Sequence, residues 1–88
     1  MPSVKLYGNL RRLSASPSLK IPGETIAEVI AGLCNSNPEL CDAMLQDGEV
    51  RPHVRILVAG RDIELDLGMQ TRLQPGDQIA IFPPIAGG

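Results

Sequence analysis

The sequence closes on Phe82-Pro83-Pro84-Ile85-Ala86-Gly87-Gly88, and the group there with the clearest chemical promise is the α-carboxylate of Gly88. With nothing written after it, Gly88 is expected to be the free end of the protein. A terminal carboxylate has a pKa of about 3.5, so it is ionised at neutral pH and needs no base to act as a nucleophile. It is a poor electrophile until it is esterified to a phosphate. The residues before it are suited to carrying this group away from a fold. Pro83 and Pro84 lack the N–H that a sheet requires, and each holds φ near about −65°, which keeps the chain extended. Fully extended, residues 83–88 reach at most about 20 Å. Gly87 and Gly88 have no Cβ, so their backbone can enter a slot that a side chain would block. These features predict a stiff arm inserted end-first into another protein.

The other residues that could do chemistry carry weaker signals. Asp62, Glu64 and Asp66 alternate with Ile63 and Leu65, which predicts a solvated strand face rather than converging carboxylates. The single histidine, His53, is expected at the surface where a strand starts. Cys34 and Cys41 are too few for a disulfide framework and do not form a CxxC pair, so they are expected as buried thiols in helices. Gly60-Arg61 and Pro75-Gly76-Asp77 read as turns, because no P-loop lysine accompanies them. Arg11 and Arg12 could meet an acidic partner or could simply be solvated.

Composition narrows the classes further. Eighty-eight residues make one domain. Only Tyr7 and Phe82 are aromatic, so the core must be aliphatic. A net charge of −2 with no basic run excludes strong attraction to nucleic acid. The absence of a signal peptide, and of any apolar run near about 18 residues, predicts a cytoplasmic protein that does not use a membrane.

The elements that must position the arm follow in chain order. Val4-Lys5-Leu6-Tyr7 alternates as a first strand, and Gly8-Asn9 breaks it. Residues 10–17 are expected as a connecting loop, and Ser18-Leu19-Lys20-Ile21 as a second strand ended by Pro22-Gly23. Ile26, Val29, Ile30 and Leu33 put four aliphatics on one face of the main helix, Thr25–Cys34. Thr25 and Glu28 fit a capping box. Asn37-Pro38 can start a short second helix that Asp47-Gly48 ends. Period two returns in His53–Val58, with Val54, Ile56 and Val58 inward. Ala59-Gly60-Arg61 is a tight turn, and Gln78-Ile79-Ala80-Ile81-Phe82 is the last strand. One helix on a mixed sheet buries both apolar faces.

If Val4, Leu6, Ile56, Val58, Ile79 and Ile81 face the helix, alternation turns Tyr7, Leu57, Ala80 and Phe82 outward. An exposed sheet face is ordinarily polar. This one is predicted to hold an apolar patch at the root of the arm, with Phe82 as the anchor for a partner, since aromatics dominate interface hot spots.

The tail, preceded by Pro75-Gly76-Asp77-Gln78-Ile79-Ala80-Ile81, resembles the C-terminus of the MoaD/ThiS sulfur carriers, and most nearly MoaD, the small subunit of molybdopterin synthase. The stretch Val4–Gly8–Asn9–Leu10–Arg11 is similar to the start of such chains. Ala59 departs from the family's common asparagine before Gly60, which weakens the turn signal. The resemblance implies an α+β, ubiquitin-like β-grasp fold with a mixed sheet of four to five strands, one main helix and a short second helix. Residues 1–82 would form the domain, with the first and last strands parallel neighbours, and residues 83–88 the arm. It implies that an E1-like, MoeB-like enzyme uses ATP to adenylate Gly88, and that sulfur then displaces AMP to leave a thiocarboxylate. It implies a sulfur donor such as a cysteine desulfurase system, and a MoaE-like large subunit as acceptor partner. Phe82, Pro83, Pro84, Ile85, Ala86, Gly87, Leu57 and Tyr7 would be the partner-binding residues. The chain itself would bind no cofactor or metal and would be a carrier, not an enzyme. A ThiS-like carrier for thiamine thiazole, a ubiquitin-like modifier conjugated through Gly88, and a plain interaction module are the alternatives.

Overall fold

The computed structural model describes residues 1–14, 16 and 18–83. The expectations placed on Pro84, Ile85, Ala86, Gly87 and Gly88 lie outside the described residues. The elements run β1 (Ser3–Leu6), α1 (Gly8–Arg12), β2 (Ser18–Lys20), α2 (Ile26–Ser36), α3 (Pro38–Met44), β3 (Leu45–Gln46), β4 (Glu49–Val50), β5 (Arg55–Val58), β6 (Arg61–Asp62) and β7 (Gln78–Phe82). Two 3-10 turns, Ile63–Leu65 and Gly68–Gln70, lie between β6 and β7.

Five strands form one sheet in the order β2-β1-β7-β5-β6. β1 and β7 are parallel neighbours, with Val4 opposite Ile79 and Leu6 opposite Ile81. β5 runs antiparallel to β7 on its other side, pairing Ile56 with Ile81 and Arg55 with Phe82. This is the mixed sheet implied by the resemblance, with the last strand at its centre.

α2 covers the inner face for the reason its sequence gives. Ile26, Val29, Ile30 and Leu33 are all at most 1% exposed and meet Val4, Leu6, Ile79 and Ile81 in one aliphatic core. Burial of each such side chain contributes about 1.5–3 kcal/mol. The Thr25 hydroxyl accepts from the Glu28 N–H at 3.3 Å, as the capping box requires. The return bond is displaced by one residue: the Glu28 carboxylate accepts from the Glu24 N–H at 3.1 Å. Asn37 then turns the chain into α3. Its side chain accepts from Leu40 N–H, and its amide donates to the Leu13 carbonyl at 2.6 Å.

Four local expectations are corrected. Gly8–Arg12 is a short helix, not a break followed by loop, because Leu10 is drawn into the core at 1% exposure. Asp47-Gly48 does not merely end α3. Both residues take positive φ, 54° and 82°, and form the two-residue turn of the β3–β4 hairpin. The alternation at Asp62–Asp66 does not continue β6. The Asp62 carboxylate accepts from the Glu64 N–H at 2.9 Å and bends the chain into a 3-10 turn. The strand expected from His53 begins at Arg55, since His53 sits in a turn at φ 73°.

The cysteines give the fifth correction. Cys34 and Cys41 form a disulfide rather than two free thiols. The reversal at Asn37-Pro38 brings the last turn of α2 beside α3, with Cα atoms 4.6 Å apart, within bridging range. Closing a loop of this length removes about 2.5 kcal/mol of freedom from the unfolded chain. Reduction is therefore expected to lower the melting temperature by about 10 °C or more. Thermal unfolding with and without a phosphine reductant checks this, with Cys34→Ser as the insensitive control. Equal melting points would show that the bond adds nothing.

Candidate functional site: the outer sheet face and the root of the arm

Alternation along β7 sorts its residues between two faces. Ile79 and Ile81 are at most 1% exposed against α2. Ala80 and Phe82 lie on the opposite face, half-buried. The register extends this face across three strands: Lys5, Ala80 and Leu57 form one row, and Phe82 stands beside Arg55 in the next. Tyr7 follows β1 and stays tied to β7, its N–H donating to the Ile81 carbonyl at 3.1 Å.

Within this face the rings of Tyr7 and Phe82 stack with centroids 4.3 Å apart and planes 14° from parallel. Such a pair contributes about 0.5–1.5 kcal/mol beyond the area it buries. The Lys5 ammonium stands 5.5 Å from the Tyr7 ring centroid, within cation–π range. The two aromatic residues of the chain thus meet at the point where β7 ends. Pro83 follows immediately and packs against Gly8.

Tyr7, Leu57, Ala80 and Phe82 therefore share one face, as alternation predicted, and Pro83 adjoins it. Lys5 and Arg55 were not singled out from the sequence, although they share the phase of Tyr7 and Leu57 and alternation alone places them here. Gly8 entered only as the end of a strand and as part of the stretch similar to the start of MoaD/ThiS chains, and neither signal ties it to Pro83. Arg55 also bonds Asp62 at 3.4 Å, but its side chain is 63% exposed. A pair that open to water contributes about 0–1 kcal/mol. It leaves Arg55 free to serve a partner.

The arrangement is an apolar centre with cations at its edge, in which no acid and base converge among the described residues. It can bind a surface. Asp62 is engaged as a helix cap and as the partner of Arg55. His53 is exposed. No helix among the described residues is long and apolar enough to cross a membrane.

A family model described as the ThiS family matches residues 4–88. The small archaeal modifier protein 3 of Haloferax volcanii is 41% identical over 64 residues, covering 73% of this chain and 70% of that protein. The solution structure of small archaeal modifier protein 1 from Methanosarcina acetivorans superposes with a TM-score of 0.90 at 31% identity, over 99% of this chain and 95% of that one. A chain of the BexX/CysO complex from Amycolatopsis orientalis gives a TM-score of 0.89 over the full length of both, and at 20% identity that likeness shows the fold.

Proposed function

The chain belongs to the ThiS family of ubiquitin-like sulfur carriers and modifiers, and from that premise we propose that its working group is the carboxylate of Gly88. It is a carrier, not a catalyst. In this reading the carboxylate oxygen attacks the α-phosphate of ATP on an E1-like, MoeB-like enzyme, and pyrophosphate leaves. The acyl adenylate is an electrophile where the carboxylate was not. A persulfide sulfur from a cysteine desulfurase system then displaces AMP to give an acyl disulfide. A second thiol cleaves the S–S bond, leaving the thiocarboxylate and a disulfide between the donor cysteine and that thiol. The groups that hold ATP and stabilise the oxyanion belong to the activating enzyme.

One observation carries the reading. The apolar outer face, with its Tyr7–Phe82 stack, runs directly into Pro83, the first residue of the arm. Docking through that face would deliver the arm at a fixed place. Residues 1–82 are the docking body in this proposal and residues 83–88 the part that is threaded.

For the sulfur's destination we propose the dithiolene of molybdopterin, with a MoaE-like large subunit as partner; the Phe-Pro-Pro-Ile-Ala-Gly-Gly ending supports this. A second reading, conjugation of Gly88 to lysines of other proteins, is favoured by the modifier names of the relatives in Haloferax and Methanosarcina. Intact-mass analysis separates them. After incubation with ATP, a sulfur donor and an E1-like enzyme, the mass should change by one oxygen-to-sulfur exchange, and fragmentation should place it at Gly88. Lysine-linked adducts in place of a thiocarboxylate would favour the modifier. Sulfur on Cys34 or Cys41 would refute the terminal-carboxylate mechanism.

A further inference from the structure

Gly8 has φ of +58° and is the first residue of α1. A Cβ built on it would stand 2.7 Å from Pro83 Cγ and 3.3 Å from Pro83 Cδ, but 4.0 Å from Pro83 Cβ. The proline ring therefore occupies the space that any side chain at position 8 would need. Both partners are held. Leu10, two residues on, is 1% exposed in the core. Tyr7 is bonded to the Ile81 carbonyl, and its ring is stacked on Phe82. Two consecutive residues of one segment, Tyr7 and Gly8, thus meet two consecutive residues of the other, Phe82 and Pro83.

We propose that Tyr7 and Gly8 form a seat that sets the direction in which the chain leaves the sheet, with Gly8 a positioning residue for whatever is done at Gly88. The inference rests on the carrier reading for its consequence, but not for its geometry. A Cβ at position 8 displaces the ring. Ordinary contact begins near 3.4 Å, so Pro83 Cγ must move by roughly 0.7 Å, the difference from 2.7 Å. The shift arises at the root, where a small turn swings everything beyond it. A misplacement of about 1 Å at a reacting group can lower a rate a hundredfold. Docking through the rest of the outer face has no reason to change.

The test is a double-mutant cycle on the full chain. With an E1-like enzyme that turns over the wild-type chain, Gly8→Ala should lower kcat for AMP formation by at least about tenfold, with KM within about threefold. In a Pro83→Ala background the same exchange should alter kcat by less than about threefold, because only the Cβ, 4.0 Å away, is left to meet. Backbone strain at φ +58° is present in both backgrounds and cancels. Should alanine unfold the chain, Gly8→Asn repeats the comparison, since asparagine tolerates left-handed backbone. In parallel, a nuclear Overhauser contact between Gly8 Hα and the Pro83 ring should appear in the isolated wild-type chain and vanish in Gly8→Ala. Absence of that contact in the wild type overturns the seat. So does wild-type kcat in Gly8→Ala, or an equal loss in both backgrounds. Failure of every E1-like enzyme to activate the wild type sinks the carrier reading instead, and the Overhauser contact then decides the seat alone.

Discussion

Gly87→Val should lower adenylation at Gly88 by a hundredfold or more, in terms of what a misplaced reacting group costs, while the melting temperature stays where it was. The two outcomes separate because the last strand ends at Phe82, and backbone beyond an element's end makes few contacts that hold a domain together. Valine restricts its own backbone at χ1 and φ and adds a branch where the proposed slot admits glycine. Adding one alanine after Gly88 should fail as completely by another route. It moves the carboxylate by about 3.5 Å, out of line with the α-phosphate. Docking through Tyr7, Leu57 and Phe82 should survive both changes. AMP-forming turnover beside a binding titration measures the separation. Wild-type turnover in either variant would mean that the arm is not threaded into a tight site.

Neighbouring substitutions on the last strand should have opposite consequences. Ile81→Asp places a carboxylate at a position with 0% exposure, between Leu6 and Ile56. An unpaired buried charge costs several kcal/mol even after relaxation. The whole stability of a domain this size is about 5–13 kcal/mol, so this chain should be largely unfolded or melt far below the wild type. Phe82→Asp, one residue on, points to the outer face. It forfeits the Tyr7 stack, about 0.5–1.5 kcal/mol, and part of the ring's burial. The fold should persist with a lowered melting temperature, and partner binding should be lost. Circular dichroism melts of both variants decide the matter. Collapse of Phe82→Asp together with survival of Ile81→Asp would invert the two faces.

The phase of that strand was legible from its β-branched residues, Ile79 and Ile81, taken together with the matching alternation of Val4 and Leu6 and of Ile56 and Val58, although Ala80 and Phe82 between and after them are apolar too. α2 was legible for the same reason at a period of 3.6. Where the reading failed, one local pattern fitted two structures. Asp47-Gly48 suits a helix end and a hairpin turn equally, and the pairing of Leu45 with Val50 decides it. Asp62–Asp66 alternates as a strand would, but the Asp62 carboxylate captures a nearby N–H before a ladder can extend. Gly8-Asn9 looks like a breaker because the force that makes it helical, burial of Leu10, comes from residues distant in sequence. The Cys34–Cys41 bond depends on how sharply α2 turns into α3, which spacing does not report. At the candidate site, residues on regular strands were found and contacts between segments were not. Gly8 and Pro83 are 75 positions apart (83 − 8), and no local pattern ties them.

The place of β7 has a consequence for how the molecule comes into being. It joins the β2–β1 pair to the β5–β6 pair in the five-stranded sheet, and it is the last strand among the described residues. The ladder joining Ser3–Leu6 to Gln78–Phe82 closes nearly the whole sequence into one loop, the kind of contact that folds late and slowly. During synthesis the sheet cannot close until residue 82 is free to pair. A fragment that stops short of β7 has two hairpin-like halves with no bond between them, and the outer face that a partner would read does not yet exist. Completion of the fold therefore reports completion of the domain, and an incomplete chain has no assembled surface with which to compete for that partner.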